Sequence, residues 1–197
     1  MIIDPQHISY EPTELCQIMH KHGSDKALGW HNYTLVYNEL LHSIKSDALN
    51  IFELGIGTIN SGASLRGWKE YFDKANVYGA DILHEALFTE HRIQTFQCDQ
   101  LSKKSIDALW DNFKKVQFDF IIEDGLHTYD ANISFFENSF HKLKKGCYYI
   151  IEDVLVSEID RYEQYFKNCK LTFNEYQILN LHNPGNTMDN VLVIIKK

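Results

Sequence analysis

Residues 51–64 read IFELGIGTINSGAS: an apolar run carrying Glu53 near its end breaks into glycines at 55, 57 and 62. The run suits a buried strand. The stretch that follows, ASLRGWKEYF, puts Leu65, Trp68 and Phe72 on one helical face. A glycine turn between a strand and a helix aims backbone N–H groups and a positive helix end at a ligand, so nucleotide-like cofactors come first. The dinucleotide pattern GxGxxG requires glycine at 60, where the chain has Asn60, and no GKS or GKT follows to make a P-loop. What remains is an acid before bare backbone. That suits S-adenosylmethionine, whose ammonium and carboxylate find partners in Glu53 and in the turn formed by Gly55 and Gly57, then Gly62 and Ser64. A plain tight connection is the alternative reading.

Outward from this stretch, strand-length apolar runs alternate with helix-length amphipathic ones. ALNIFEL (48–54), NVYGAD (76–81), RIQTFQCD (92–99), FDFIIED (118–124) and CYYIIED (147–153) read as five strands, and YDANISFFENSFHKL as a helix. The alternation predicts an α/β fold with a mostly parallel sheet covered by helices. After a further helix near 157–168, KLTFNEYQILNL and NVLVIIKK flank the turn-rich HNPGNTMD and predict an antiparallel hairpin. The first 45 residues show no strand; PTELCQIMHKHG and YTLVYNELLHSI read as helices split by SDKALGWHN. They are expected to cover the sheet as part of the same domain, whose cofactor-binding portion runs from 46 to 197.

A chain of 197 residues, 44% hydrophobic and 13% aromatic, can bury one full core. A net charge of −8 without a Lys/Arg block argues against nucleic acid as partner. Cys16, Cys98, Cys147 and Cys169 form no CxxC, which favours reduced thiols and a cytoplasmic setting. The start, MIIDPQHISYEPTEL, has no secretory pattern, and no run is apolar enough to span a membrane.

Ligands of an open parallel sheet bind outside the carboxyl ends of its strands, and acids end these strands one after another. Asp81 is placed to accept ribose hydroxyls, and Asp99 with Gln100 to meet an adenine amino group; helix capping is the plainer role for each alone. Asp124, Glu152 and Asp153 should meet at the ends of adjacent strands, where three carboxylates call for a cation. Oxygen ligands suit Mg²⁺, with Mn²⁺ or Ca²⁺ as substitutes. Capping and cofactor contact without metal remain open.

The blocks GSDK (23–26), HNYT with Val36 and Tyr37, ELGIGTINSGASLRGWKEYF, VYGADI, CDQ, FDFIIEDGLHTYD, LKKGCYYIIEDV and MDNVLVIIK together resemble the metal-dependent O-methyltransferases of macrocin and mycinamicin type. These are class I S-adenosylmethionine enzymes related to cephalosporin-hydroxylase-like proteins. The resemblance implies a Rossmann-like, seven-stranded sheet of order 3-2-1-4-5-7-6 with strand seven antiparallel. It assigns cofactor binding to Glu53, Gly55, Ser61, Gly62, Ser64, Asp81, Asp99 and Gln100, and metal binding to Asp124, Glu152 and Asp153. Ser24, Asp25 and Lys26 would close over the cofactor, which Asp124 also meets. The sequence departs from the family pattern at Leu155, where relatives often carry a histidine that serves as base, and in the short glycine run of KKGCYY.

With Leu155 there, His127 in EDGLHTYD is the candidate general base, three residues past Asp124 at the same rim. Orienting Asp124 is its equally available role. Tyr129, or a group near His31 or in HNPGNTMDN, is the alternative. The expected acceptor is a polyhydroxylated small molecule, with a sugar or sugar nucleotide first. Amino methylation usually goes with an NPPY-like turn, and Pro5, Pro12 and Pro184 are all far from strand four. A non-catalytic cofactor-binding scaffold of the same fold is the rival reading, and a homo-oligomer is left open.

Overall fold

The computed structural model describes residues 1–181 and 183–197. Its elements follow the chain as α1 (Glu14–His22), α2 (Tyr33–Leu41), β1 (Asn50–Leu54), α3 (Ala63–Tyr71), β2 (Asn76–Asp81), β3 (Thr89–Glu90), β4 (Ile93–Gln97) and α4 (Lys103–Asp111). They continue with β5 (Phe118–Glu123), α5 (Tyr129–Ser139), β6 (Leu143–Val154), α6 (Ile159–Asn168), β7 (Glu175–Asn180) and β8 (Val191–Lys196). Among the described residues eight strands form one sheet in the order β3-β4-β2-β1-β5-β6-β8-β7. Without β3 this is the expected order 3-2-1-4-5-7-6, with β8 antiparallel to both neighbours.

Two expectations need correction. The sheet has an eighth strand, because the two-residue β3 pairs antiparallel with β4 at the edge, too short to leave a periodic signal. Helix α4 was not read from the sequence. It buries only Ile106, Leu109 and Trp110, with charged residues around them, and is started by Ser102, whose Oγ accepts from Ser105 N at 3.3 Å.

The central strands lie between two helical layers, so they read as continuous apolar runs. Ile51, Phe120, Ile122 and Ile150 pack toward α1, α2 and α3, with Leu15, Met19, Tyr37 and Trp68. Phe52, Leu54, Phe118, Ile121 and Ile151 point the other way, onto Trp110, Phe113, Phe135 and Phe136. This alternation decides where each acid near a strand end goes. No helix of the described residues is long and apolar enough to cross a membrane.

Candidate active site

A cavity of about 670 Å³ opens at the carboxyl ends of the parallel strands. One half is built by the turn after β1. Gly55 has φ +88°, and a Cβ there would lie 1.7 Å from the Asp124 carbonyl, so the turn can lie against the end of β5 only as glycine. Asp81 fixes the same turn: its Oδ2 accepts from Ile56 N at 2.8 Å and Gly57 N at 3.0 Å, and its Oδ1 from Leu83 N at 2.9 Å. Asp99 lines the cavity while its Oδ1 accepts from Leu101 N. Gln100 lines it too, but its amide is engaged within the protein, donating to Glu123 Oε1 at 2.9 Å and accepting from Leu126 N at 2.7 Å. Of the pair, Gln100 is thus tied to the protein by both ends of its amide.

The other half is acidic. By strand parity Glu53 faces the α1–α2–α3 layer, where its oxygens accept from Ser64 Oγ and Trp68 Nε1, each at 2.5 Å. Glu152 shares that parity, and its Oε1 accepts from the Tyr37 hydroxyl. Lys26 Nζ stands between acids, 2.5 Å from Asp124 Oδ2 and from Glu152 Oε2 and 3.7 Å from Glu53 Oε1. Burial works against its charge, but Asp124, Glu152 and Glu53 hold the ammonium well above its ordinary value.

Asp153 has the opposite parity, yet it does not enter the opposite layer. The β6–β8 register shifts between Ile151 and Val154, and Asp153 adopts a left-handed φ of +52°. This bulge turns its carboxylate to the rim. There Oδ1 accepts from the Tyr33 hydroxyl at 2.7 Å and lies 3.4 Å from His31 Nδ1.

His127, also at positive φ, completes the rim. Its Nε2 lies 3.1 Å from Asp124 Oδ1 and its Nδ1 3.6 Å from Asp153 Oδ2. Burial would lower the imidazole, but the hydrogen bond and charge of Asp124 outweigh it and push the pKa up to about 9. Asp124 moves the other way: burial would raise it, yet Lys26 and His127 hold it down to about 2. Left-handed non-glycine residues cluster at functional sites, where the surroundings hold the strain.

Known proteins can now be set beside this geometry. No family model matches the chain. The 8-demethyl-8-alpha-L-rhamnosyl tetracenomycin-C 2'-O-methyltransferase of Streptomyces olivaceus is 34% identical over 141 residues, which cover 70% of this chain and 36% of that protein. The mycinamicin VI 2''-O-methyltransferase of Micromonospora griseorubida is 30% identical over 128 residues, 63% of this chain and 32% of that protein. The chain belongs to the macrocin- and mycinamicin-type O-methyltransferase family. It spans about a third of the length of these relatives. The solved MycE methyltransferase of the mycinamycin biosynthetic pathway, in complex with Mg, SAH and mycinamycin VI, shares the fold. Its TM-score is 0.73 at 21% identity, over 94% of this chain and 55% of that one.

Within this methyltransferase fold most of the residues singled out by sequence converge. Ser24, Asp25, Lys26, Glu53, Gly55 and Ser64 line the cavity, as do Asp81, Asp99, Gln100, Asp124, His127 and Asp153. Ser61 and Gly62 do not. The Ser61 hydroxyl donates to Ala86 O, and Gly62 leaves room for the Phe88 ring. Tyr129 is elsewhere, packed on Tyr162 under the Arg161 guanidinium, so its place as an alternative base is not supported.

Lys26 is the largest departure from expectation. Instead of closing over a cofactor from outside, its ammonium is inside the acid cluster. Glu152 faces inward by strand parity, and the atoms that gather within 4.8 Å of one another belong to Asp124, His127 and Asp153. The carboxylates of this set fit a divalent cation, with His127 beside them. Asp124 Oδ1 and Asp153 Oδ2 share the rim, and Lys26 is the one ammonium partner of Asp124, Glu152 and Glu53 among the described residues.

The sequence puts Trp68 on the packing face of its helix and gives Tyr33, Tyr37 and Glu123 no place at the site. The signal for the two tyrosines was present: residues at i and i+4 share one helical face, and both are fully buried. Glu123, one residue before Asp124, has the opposite parity and braces Gln100; burial pushes its carboxyl up to about 7. His182, in the loop HNPGNTMDN that sequence offered as an alternative source of the base, lies outside the described residues.

Proposed function

We propose that the protein transfers a methyl group from S-adenosylmethionine to a hydroxyl of a small polyhydroxylated acceptor, with help from a divalent cation, Mg²⁺ first. The observation that carries this reading is one cavity that joins the glycine turn and Asp81 to the rim of Asp124, His127 and Asp153. The rhamnosyl tetracenomycin-C 2'-O-methyltransferase, whose name gives O-methylation of a glycosylated compound, supports a sugar-bearing acceptor. The charge of −8 supports a small molecule over nucleic acid. The four free cysteines fit work in the cytoplasm. The cover, 1–45, and the portion 46–197 act as one unit, since Lys26 and Tyr33 reach the acids of the sheet.

In this reading Asp81 and Asp99 hold the ribose and adenine, and the N–H groups of the turn hold the amino-acid end. Asp124 and Asp153 would hold the cation, which when bound would supply Lewis acidity toward the acceptor hydroxyl. His127 accepts the proton. Its hydrogen bond to Asp124 orients the ring for that role. Methyl transfer is an in-line displacement, so alignment of the two reactants is the protein's other contribution.

Calorimetry with S-adenosylhomocysteine and NAD, followed by transfer of labelled methyl to a panel of sugars with Mg²⁺ or EDTA, tests this. Binding of S-adenosylhomocysteine and Mg²⁺-stimulated labelling of a sugar are expected. Tight NAD binding without S-adenosylhomocysteine binding would sink the assignment, and activity that survives EDTA would remove the cation from it.

A further inference from the structure

The turn that carries His127, residues 124–128, joins β5 to α5 and has little of its own to hold it. Leu126 is 55% exposed, His127 takes a left-handed φ of +56°, and Thr128 makes no side-chain cap at the start of α5. We infer that Glu123, braced by Gln100 and Asn132, shapes this turn, so that Glu123 is a positioning residue acting through His127. This inference rests on the reading of His127 as base given above.

The bonds converge on one carboxylate. Glu123 Oε1 accepts from Gly125 N at 3.2 Å and from Gln100 Nε2 at 2.9 Å, and Gln100 Oε1 in turn accepts from Leu126 N at 2.7 Å. Consecutive N–H groups of the turn are thereby held from behind. With its amide turned so that both ends meet a complementary group, Asn132 donates to Glu123 Oε2 at 3.1 Å and to Thr128 O at 2.9 Å, and accepts from the Tyr162 hydroxyl at 2.8 Å. The far end of the turn is thus tied to the same side chain. Gly125 completes the fit, since a Cβ there would lie 2.0 Å from Gln100 Oε1.

Stability does not explain a carboxyl at this place. Glu123 is 1% exposed and shares the strand parity of Ile121, in the layer of Phe135 and Phe136, where an apolar side chain would fill the space without the cost of desolvating a polar group. What the carboxyl adds is direction. With the N–H groups of Gly125 and Leu126 fixed, the next residue is presented to Asp124, and His127 Nε2 lies 3.1 Å from Asp124 Oδ1. A shift of about 1 Å in that ring would cost about 10²-fold in rate.

The test compares Glu123→Leu, which keeps the bulk and removes the brace, with Glu123→Gln, which keeps an acceptor for Gly125 N and Gln100. Amide exchange followed by NMR needs no acceptor: in Glu123→Leu, Gly125 and Leu126 should exchange at least about a hundredfold faster while the amides of β1 and β5 are unchanged. With a sugar that the wild-type chain methylates, Glu123→Leu should lower kcat by about 10- to 100-fold and leave S-adenosylhomocysteine affinity and acceptor KM within about threefold. Glu123→Gln should stay within about threefold of wild type throughout. Glu123→Leu combined with His127→Ala should be no slower than His127→Ala alone, because a residue that acts only through His127 then has nothing left to position.

Unchanged exchange at Gly125 and Leu126 in Glu123→Leu overturns the inference, and so do multiplying losses in the double variant or a Glu123→Gln chain as slow as Glu123→Leu. Should Glu123→Leu not fold, Gln100→Leu, which frees Leu126 N, decides by the same two measurements: faster exchange at Leu126 and no added loss beside His127→Ala are expected, and the opposite overturns. A silent His127→Ala fails the base reading itself, whereas multiplying losses leave that reading standing and strike only the brace.

Discussion

The two halves of the cavity are built differently. The half around Gly55 and Asp81 is made by residues at the ends of β1 and β2, held by backbone N–H groups nearby: Ile56, Gly57 and Leu83 all donate to Asp81. The half around Asp124 and Asp153 is held by side chains from more than 90 positions away: Lys26 on Asp124, Tyr37 on Glu152 and Tyr33 on Asp153. The first is a local turn completed by its neighbour strand. The second exists only when the cover and the sheet are packed together, because its like charges repel unless those distant donors are in place.

The largest effect expected separates the halves outright. Asp153→Asn should abolish methyl transfer to background while S-adenosylhomocysteine affinity holds, measured by labelled-methyl assay and calorimetry. Loss of both would show that the acid half also carries the cofactor. His127→Ala comes next, with a rate lower by about 10²- to 10⁴-fold, the range for a lost general base, and Mn²⁺ content unchanged. Partial recovery of that rate at higher pH is expected as solvent takes over the proton. A nearly silent His127→Ala would move the base elsewhere, His31 being the next group, 3.4 Å from Asp153.

On the glycine side, Asp81→Ala should weaken S-adenosylhomocysteine binding by about 10- to 100-fold, the cost of lost hydrogen bonds to a charged group. Because Asp81 also holds the turn, thermal unfolding should show a small loss of stability with it. A variant with unchanged affinity would make Asp81 a purely structural brace. The smallest effect is expected from Tyr33→Phe, which removes one hydroxyl from Asp153 and should lower the rate about three- to tenfold, one net hydrogen bond. Unchanged S-adenosylhomocysteine affinity in Tyr33→Phe would locate the α2 tyrosines on the acid half alone.

Much of this comparison was legible beforehand. That Gly55, Asp81 and Asp99 line one cavity follows from strand patterns and glycine turns, which are short-range signals read within a dozen residues. Asp124 and Asp153 meet at the rim because each lies at a strand end and adjacent strands align their ends. Helix α4 and the edge strand β3 were missed for want of periodicity, and Tyr129 was misplaced because a position at a helix start does not say which way the ring packs.

The sequence by itself determined the alternation of the main strands and helices, the acids at the strand ends and the glycine turn, since hydrophobic period and turn chemistry are properties of neighbouring residues. Tertiary structure alone decided how the acids are divided. Strand parity sends Glu53 and Glu152 into the layer with Lys26 and Tyr37, and a bulge with φ +52° reverses that parity for Asp153. Parity and bulge position depend on register against β5 and β8, which is fixed by packing of the whole sheet, so no reading of IIEDV in isolation could assign its two acids to different layers.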